Sequence, residues 1–146
     1  MTTRHFVLTI GILYLLVGVL GFFPGLVAAP HADAPSVTVD SGYGYLLGLF
    51  PVNMLYNLFH LAIGALALAA YRSFPRSIAL SRGLAILFGV LAVMGVIPML
   101  STTFGWIPLF GHNVWLHAAT AVIAAYFGYV RAAEVVPVEW KASRAS

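Results

Sequence analysis

The sequence has no cysteine and very few charged residues. The absence of cysteine among its 146 residues excludes disulfide bonds, thiolate metal sites and cysteine nucleophiles. Charged residues make up 8% of the chain, where an average soluble domain has roughly a quarter, and hydrophobic residues make up 62%. The mean hydropathy of +0.98 is not that of a soluble globular domain. We therefore expect the lipid bilayer to surround the protein.

Motifs of catalysis and of nucleic-acid binding are also missing. The chain contains no HExxH, GxSxG or Walker sequence and no paired carboxylates. Its seven basic residues are few and lie along one face of the expected membrane protein, which argues against nucleic acid as a partner. The sequence therefore favours a non-enzymatic role, and we predict no catalytic residue.

Four apolar runs predict four membrane-spanning helices in a single membrane domain. The predicted spans are residues 6–27, 53–71, 78–100 and 113–130. Each is close to the ~20 residues that a helix needs to cross ~30 Å of hydrocarbon. None contains Asp, Glu or Lys, which excludes the carboxylate relays of proton-coupled transporters. The predicted loops and tail are residues 28–52, 101–112 and 131–146.

The basic residues indicate the orientation of these spans. All of them lie before the first span, around the turn between the second and third, or after the fourth: Arg4, Arg72, Arg76, Arg82, Arg131, Lys141 and Arg144. The two predicted loops at the other side contain no Lys or Arg. By the positive-inside rule, we expect both termini to be cytoplasmic and both loops to be external. The protein would then be a multi-pass protein of a cytoplasmic or other internal membrane.

The two halves of the chain resemble each other. The segments "ILYLLVGVLGFFPGL" (12–26) and "ILFGVLAVMGVIPML" (86–100) share six residues, including a glycine followed three residues later by a proline. Before the second and fourth spans stand "LFPVN" and "LFGHN", whose asparagines, Asn53 and Asn113, are predicted helix N-caps. We therefore predict an all-α, four-helix membrane bundle made of two tandem hairpins, with a longer first external loop.

Four polar residues interrupt the second and fourth spans. Counted from the predicted caps, Asn57 and His117 both lie four residues into a helix, and His60 and Thr120 both lie seven residues in. These positions are about 6 Å and 10 Å below the outer surface. Residues three apart share a helix face. We expect Asn57 to meet His117, and His60 to meet Thr120.

This polar intramembrane cluster has three interpretations. The first is a structural network of hydrogen bonds between helices, each contributing about 0.6–2 kcal/mol in a bilayer. The second is a binding site in which His60 and His117 ligate a haem, a chlorophyll-type pigment or a metal ion, with His112 as a third ligand. The third is small-molecule or proton handling by His60. No cofactor is favoured over the structural network.

The chain also resembles a known family. The runs "LFPVN…NLFH" (49–60) and "NVWLH" (113–117), with "GVLGFFPGL" (18–26) ahead of them, are similar to the small bacterial four-helix membrane family catalogued as domain of unknown function 4383. The resemblance covers nearly the whole chain apart from the tail. It implies an integral membrane protein of bacteria and no established activity.

Taken together, these features favour an accessory or scaffold subunit. We expect a small membrane protein that packs against a larger membrane assembly or against its own copies. The alternative is a cofactor- or metal-binding module that uses His60 and His117.

Overall fold

The structure is a computed structural model that describes residues 1–133. It is mostly helical, and within that range it contains four α-helices. They are α1 (Thr3–Leu20), α2 (Met54–Ala70), α3 (Phe74–Val96) and α4 (His112–Ala125). A π-helical segment, Tyr126–Val130, continues α4. The part of the predicted tail from residue 134 onward lies outside the described residues.

A small antiparallel sheet occupies the predicted first loop. The fold is therefore not all-α, contrary to our expectation. Its strands are β1 (Val27–Ala28), β2 (Gly44–Leu46) and β3 (Phe50–Val52), in the order β1-β2-β3. The turn between β2 and β3 contains Leu47 and Gly48, both with positive φ, which lets the chain reverse tightly. The sheet thereby holds the start of α2 against the end of α1.

The helices are displaced from the predicted spans at several ends. The first and third end at Leu20 and Val96, before the predicted residues 27 and 100. Pro24 follows the end of the first helix by four residues, and Pro98 follows the end of the third by two. Proline disfavours helical conformation in the residue before it, so it limits how far each helix can continue. The third helix also begins earlier than predicted, at Phe74, with Pro75 in its first turn.

The two predicted N-caps behave differently. Asn53 caps α2 as expected, because its Oδ1 accepts a hydrogen bond of 2.9 Å from the backbone N–H of Tyr56. The prediction for Asn113 is wrong, because α4 begins at His112 with Gly111 as its N-cap. Gly111 has φ of 65°, a conformation that Pro51 at the matching position of the first half cannot adopt, because the proline ring fixes φ near −65°.

Both asparagines hold the loops together with their side-chain amides. The Nδ2 of Asn53 donates to the carbonyls of Val39 (2.9 Å) and Trp106 (2.7 Å), one in each loop. The Nδ2 of Asn113 donates to the carbonyls of Pro51 (2.7 Å) and Pro108 (2.8 Å). These bonds tie β3 and the second loop to the starts of α2 and α4.

The helices pack as two pairs, α1 with α2 and α3 with α4. In the first pair, Gly64 lets the backbones approach closely, since a Cβ added there would lie 2.9 Å from the carbonyl oxygen of Gly11. The pairs meet in a core to which every helix contributes, including Phe6, Ile63, Phe88 and Ala124.

Two of the helices, α1 and α3, are long and apolar enough to cross a membrane. The second, α2, is also apolar but shorter, with 17 residues. Length and composition alone give this result, and the core helix of a soluble protein passes the same test.

Candidate functional site

The candidate site is a buried group of five polar side chains between the helices. Its members, which we call the Tyr–His cluster, are Tyr14 on α1, Tyr56 and His60 on α2, and His117 and Thr120 on α4. All five are at most 4% exposed. Phe88 on α3 closes the cluster, with its ring centroid 5.1 Å from Tyr14 and 5.3 Å from His117. All four helices therefore contribute to it.

Two hydrogen bonds within the cluster join different helices. The hydroxyl of Tyr56 is hydrogen-bonded to Nε2 of His117, which links α2 to α4. The hydroxyls of Tyr14 and Thr120 lie 2.9 Å apart, which links α1 to α4. Thr120 donates its own proton to the carbonyl of Leu116, at 2.8 Å, so Tyr14 is the donor in the second link. Both bonds connect the first helical pair to the second.

The geometry around His60 fixes the position of its proton. Its Nδ1 lies 2.9 Å from the backbone carbonyl of Tyr56, which can only accept. Nδ1 therefore carries the hydrogen, and in the neutral ring Nε2 is left as an acceptor. This Nε2 is buried and has no hydrogen bond within the described residues. The ring is packed between Tyr14 and Tyr56, with centroids at 5.2 Å and 4.2 Å.

The second histidine also has one nitrogen without a hydrogen bond. His117 uses Nε2 toward Tyr56, and its Nδ1 is buried without a partner in the described part of the chain. Within residues 1–133, each histidine of the cluster thus has one buried ring nitrogen without a hydrogen bond.

The predicted partners within the polar set are wrong. Asn57 does not meet His117: its Nδ2 donates to the carbonyl of Gly21 on α1, at 2.8 Å. A Cβ at Gly21 would overlap the Asn57 carboxamide, so this contact depends on glycine. His60 likewise does not bond to Thr120. Tyr56 contacts His117 in place of Asn57, and Tyr14 contacts Thr120 in place of His60. The helices are therefore rotated about their axes relative to the predicted arrangement.

Sequence reasoning missed both tyrosines. Neither Tyr14 nor Tyr56 is among the four polar residues that the sequence pattern singles out. A usable signal was present in each case. Tyr14 stands in the middle of an apolar run, where a hydroxyl needs a hydrogen-bond partner, and Tyr56 precedes His60 by four residues and so shares its helix face.

His112 is not part of the site. It is the first residue of α4, is exposed, and packs edge-on against Phe50 with ring centroids 6.1 Å apart. Residues 1–133 contain no group of three or more His, Cys, Asp or Glu side chains that could hold a metal ion. The expectation of His112 as a third ligand is therefore wrong.

Comparison with known families identifies the chain. Residues 4–130 match the family described as domain of unknown function (DUF4383). The chain belongs to this family. No curated protein and no solved structure matches it. The match contains all four helices and the entire Tyr–His cluster, so the cluster belongs to the DUF4383 domain itself and not to an addition outside it.

We predict that Tyr56→Phe lowers the free energy of unfolding by about 1–3 kcal/mol, because both nitrogens of the buried His117 are then without a partner. Tyr14→Phe should cost less, since Thr120 keeps its bond to Leu116. Thermal unfolding of the purified protein measures both. The control is Tyr126→Phe, whose ring is 47% exposed and should be neutral. Equal effects of all three substitutions would contradict the role assigned to the cluster.

Proposed function

We propose that the protein is a multi-pass integral membrane protein, a four-helix bundle that serves as an accessory or scaffold subunit. The observation that carries the membrane part is an inverted distribution of polarity. Leu66, Ile86, Val93 and Val122 are between 57% and 70% exposed. Within residues 1–133, ten Ser, Thr, Asn and His side chains are buried. Water disfavours such a surface, and lipid accepts it.

Helix lengths support this proposal. At 1.5 Å per residue, the helices α1, α2 and α3 measure roughly 27, 26 and 35 Å. The fourth reaches a similar length only with the π-helical segment included. These lengths are close to the ~30 Å of a hydrocarbon core. The third helix exceeds it because its first turns carry Arg76 and Arg82, which belong at the interface.

The arrangement of charge supports an orientation with both termini in the cytoplasm. Arg4 at the start of α1 donates from Nε to the carbonyl of Tyr71, in the turn between α2 and α3, at 2.7 Å. Arg82 donates from Nε to the carbonyl of Gly128, near the end of α4, at 2.8 Å. The sheet and both Asp residues of the described chain, Asp33 and Asp40, belong to the loop at the other helix ends. We place this basic end on the cytoplasmic side of a bacterial inner membrane.

A subunit role is favoured because the interior is occupied with its own packing. Most groups of the Tyr–His cluster bond to a neighbouring helix or to their own helix backbone. Large apolar and aromatic side chains remain on the outside, with Phe104, Trp106 and Trp115 from 59% to 74% exposed. Such a surface suits contact with lipid and with another membrane protein, either a larger assembly or a second copy.

The cysteine-free chain allows a direct test of the topology. We expect Ser36→Cys, in the first loop, to react with a membrane-impermeant maleimide in intact cells. Its matched partner Ser73→Cys, at the start of α3, should react only after the membrane is permeabilised. Ser36 is exposed, and Ser73 has no side-chain capping bond, so neither change should disturb the fold. Labelling in the reverse order would overturn the orientation, and a protein released from membranes by alkaline carbonate would overturn the membrane proposal.

The subunit role predicts that the native protein is not solitary. Extracted from its own membrane in a mild detergent, it should migrate as a particle well above the 15.6 kDa of one chain after detergent is subtracted. Analytical ultracentrifugation and the composition of the particle separate a homo-oligomer from a larger assembly. A monomer at native expression levels would contradict the proposal.

Metal binding by His60 and His117 is the second candidate, because His60 Nε2 and His117 Nδ1 are buried without hydrogen bonds within residues 1–133. A haem or a chlorophyll-type pigment does not fit, since the rings of Tyr14, Tyr56 and Phe88 pack within 4.2–5.3 Å of the imidazole centroids. A single metal ion with two imidazole ligands is the cofactor that these residues support.

Elemental analysis and an absorption spectrum of the purified protein test this second function. It predicts a stoichiometric transition metal that is lost in His60→Ala and retained in His5→Ala, whose histidine is exposed beside the basic end. A metal-free protein would remove the candidate. A Soret or pigment band would overturn the exclusion of a macrocycle.

A further inference from the structure

A cavity of about 290 Å³ lies between the end of α1, the start of α2 and the small sheet. Its volume is close to the lower end of the ~300–1,000 Å³ that small-molecule sites enclose. No residue of the Tyr–His cluster lines it, so it is separate from the site described above. The wall residues that determine its chemistry are Gly21, Phe22, Val27, Ser41, Met54 and Asn57.

One buried side chain of this wall has an acceptor without a donor. Asn57 is 1% exposed, and its Nδ2 donates to the backbone carbonyl of Gly21 at 2.8 Å. A carbonyl can only accept, so this bond fixes which end of the carboxamide is nitrogen and which is oxygen. The oxygen, Oδ1, is buried and has no hydrogen bond within residues 1–133. A buried acceptor without a donor is costly, so Oδ1 has much to gain from an added donor.

Glycine at position 21 keeps this oxygen at the cavity wall. Gly21 lines the same cavity as Asn57, and a Cβ at Gly21 would overlap the Asn57 carboxamide, Oδ1 included. The oxygen therefore lies against the backbone of a lining residue, with no side chain of that residue between them.

Three donors of the wall are engaged elsewhere. The backbone N–H of Tyr43 donates to the carbonyl of Asp40 at 2.9 Å, and that of Met54 donates to the carbonyl of Ser41 at 2.8 Å. The hydroxyl of Ser41 lies 3.7 Å from Sδ of Met54 and donates to it. These groups cannot turn to Oδ1 without losing their present bonds, so a molecule in the cavity is the better source of a donor.

The rest of the wall is apolar and carries no formal charge. Phe22 and Met54 are 45% and 46% exposed, and Val27 is half-buried. No Asp, Glu, Lys or Arg of the described chain lines the cavity. An ion that entered would lose hydration without gaining a counter-charge. The wall therefore favours an uncharged molecule with an apolar body.

We propose that this cavity binds a small uncharged molecule that carries an O–H or N–H donor on an apolar body. The donor bonds to Oδ1 of Asn57, and the body lies against Phe22, Val27 and Met54. This site goes beyond the proposed subunit role and does not depend on it, because all the contacts that form the site lie within one chain.

Indole and benzofuran are matched probes for this site, because they share one fused-ring shape and only indole has an N–H donor. We expect the full chain in detergent to bind indole about tenfold more tightly than benzofuran, which is the difference that one hydrogen bond makes. Titration by saturation-transfer NMR measures both affinities, and protein-free micelles correct for partition of the probes into detergent. Equal affinities, or binding of neither probe, would overturn the proposal.

Substitutions locate the bound probe. Asn57→Leu should remove the preference for indole, and because the preference is a ratio of two affinities in one protein, a general loss of stability does not explain it. Met54→Trp keeps Asn57 and its bond to Gly21, fills the apolar part of the cavity and should abolish binding of both probes. Its control is Leu58→Trp, since Leu58 is 45% exposed on the same helix and does not line the cavity. An unchanged preference in Asn57→Leu, or equal losses in the two tryptophan variants, would also overturn the proposal.

Discussion

The structure depends on the requirement that polar groups inside a packed helical interior find hydrogen-bond partners. Tyr56 meets this requirement twice, because its carbonyl accepts from His60 on its own helix and its hydroxyl reaches His117 on α4. An apolar helix pair can slide or rotate at small energetic cost, whereas a buried hydroxyl that loses its partner costs about 1–3 kcal/mol. The bond between Tyr56 and His117 therefore sets the register between the two helical pairs, and the bond between Tyr14 and Thr120 sets it a second time, from α1.

The two similar halves of the sequence have different structural roles. The motifs "LFPVN" and "LFGHN" align, yet Asn53 caps its helix and Asn113 does not. Glycine in the second motif lets α4 begin one residue before Asn113. The amide of Asn113 donates to the carbonyls of Pro51 and Pro108, as the amide of Asn53 donates to two other loop carbonyls. The first half thus supplies the sheet, and the second half supplies the side chain that fastens that sheet to α4. Differences at single residues thus give the two similar hairpins different contacts.

Much of this architecture could be predicted from the sequence, and the remainder illustrates where such reasoning stops. Long apolar runs locate helices, and the four polar residues singled out from the pattern are all buried. The partners predicted for them are wrong because positions were counted from the predicted start of α4, which is one residue too late. A helix turns by 100° per residue, so this error changes the predicted direction of every side chain on α4. The sheet was missed because its strands have two or three residues each, too few for an alternating pattern. Its existence depends on pairing across a loop, which local sequence does not report.

The interior and the basic end of the protein use their polar groups differently. In the Tyr–His cluster the hydroxyls are hydrogen-bonded and the imidazoles are enclosed by aromatic rings, so a ligand there would have to displace packing. At the basic end, by contrast, Arg4 and Arg82 each donate one N–H to a backbone carbonyl of a different segment, at Tyr71 and Gly128. The buried cluster therefore fixes the register of the helices in the interior, and these arginines join the helix ends to one another at the surface.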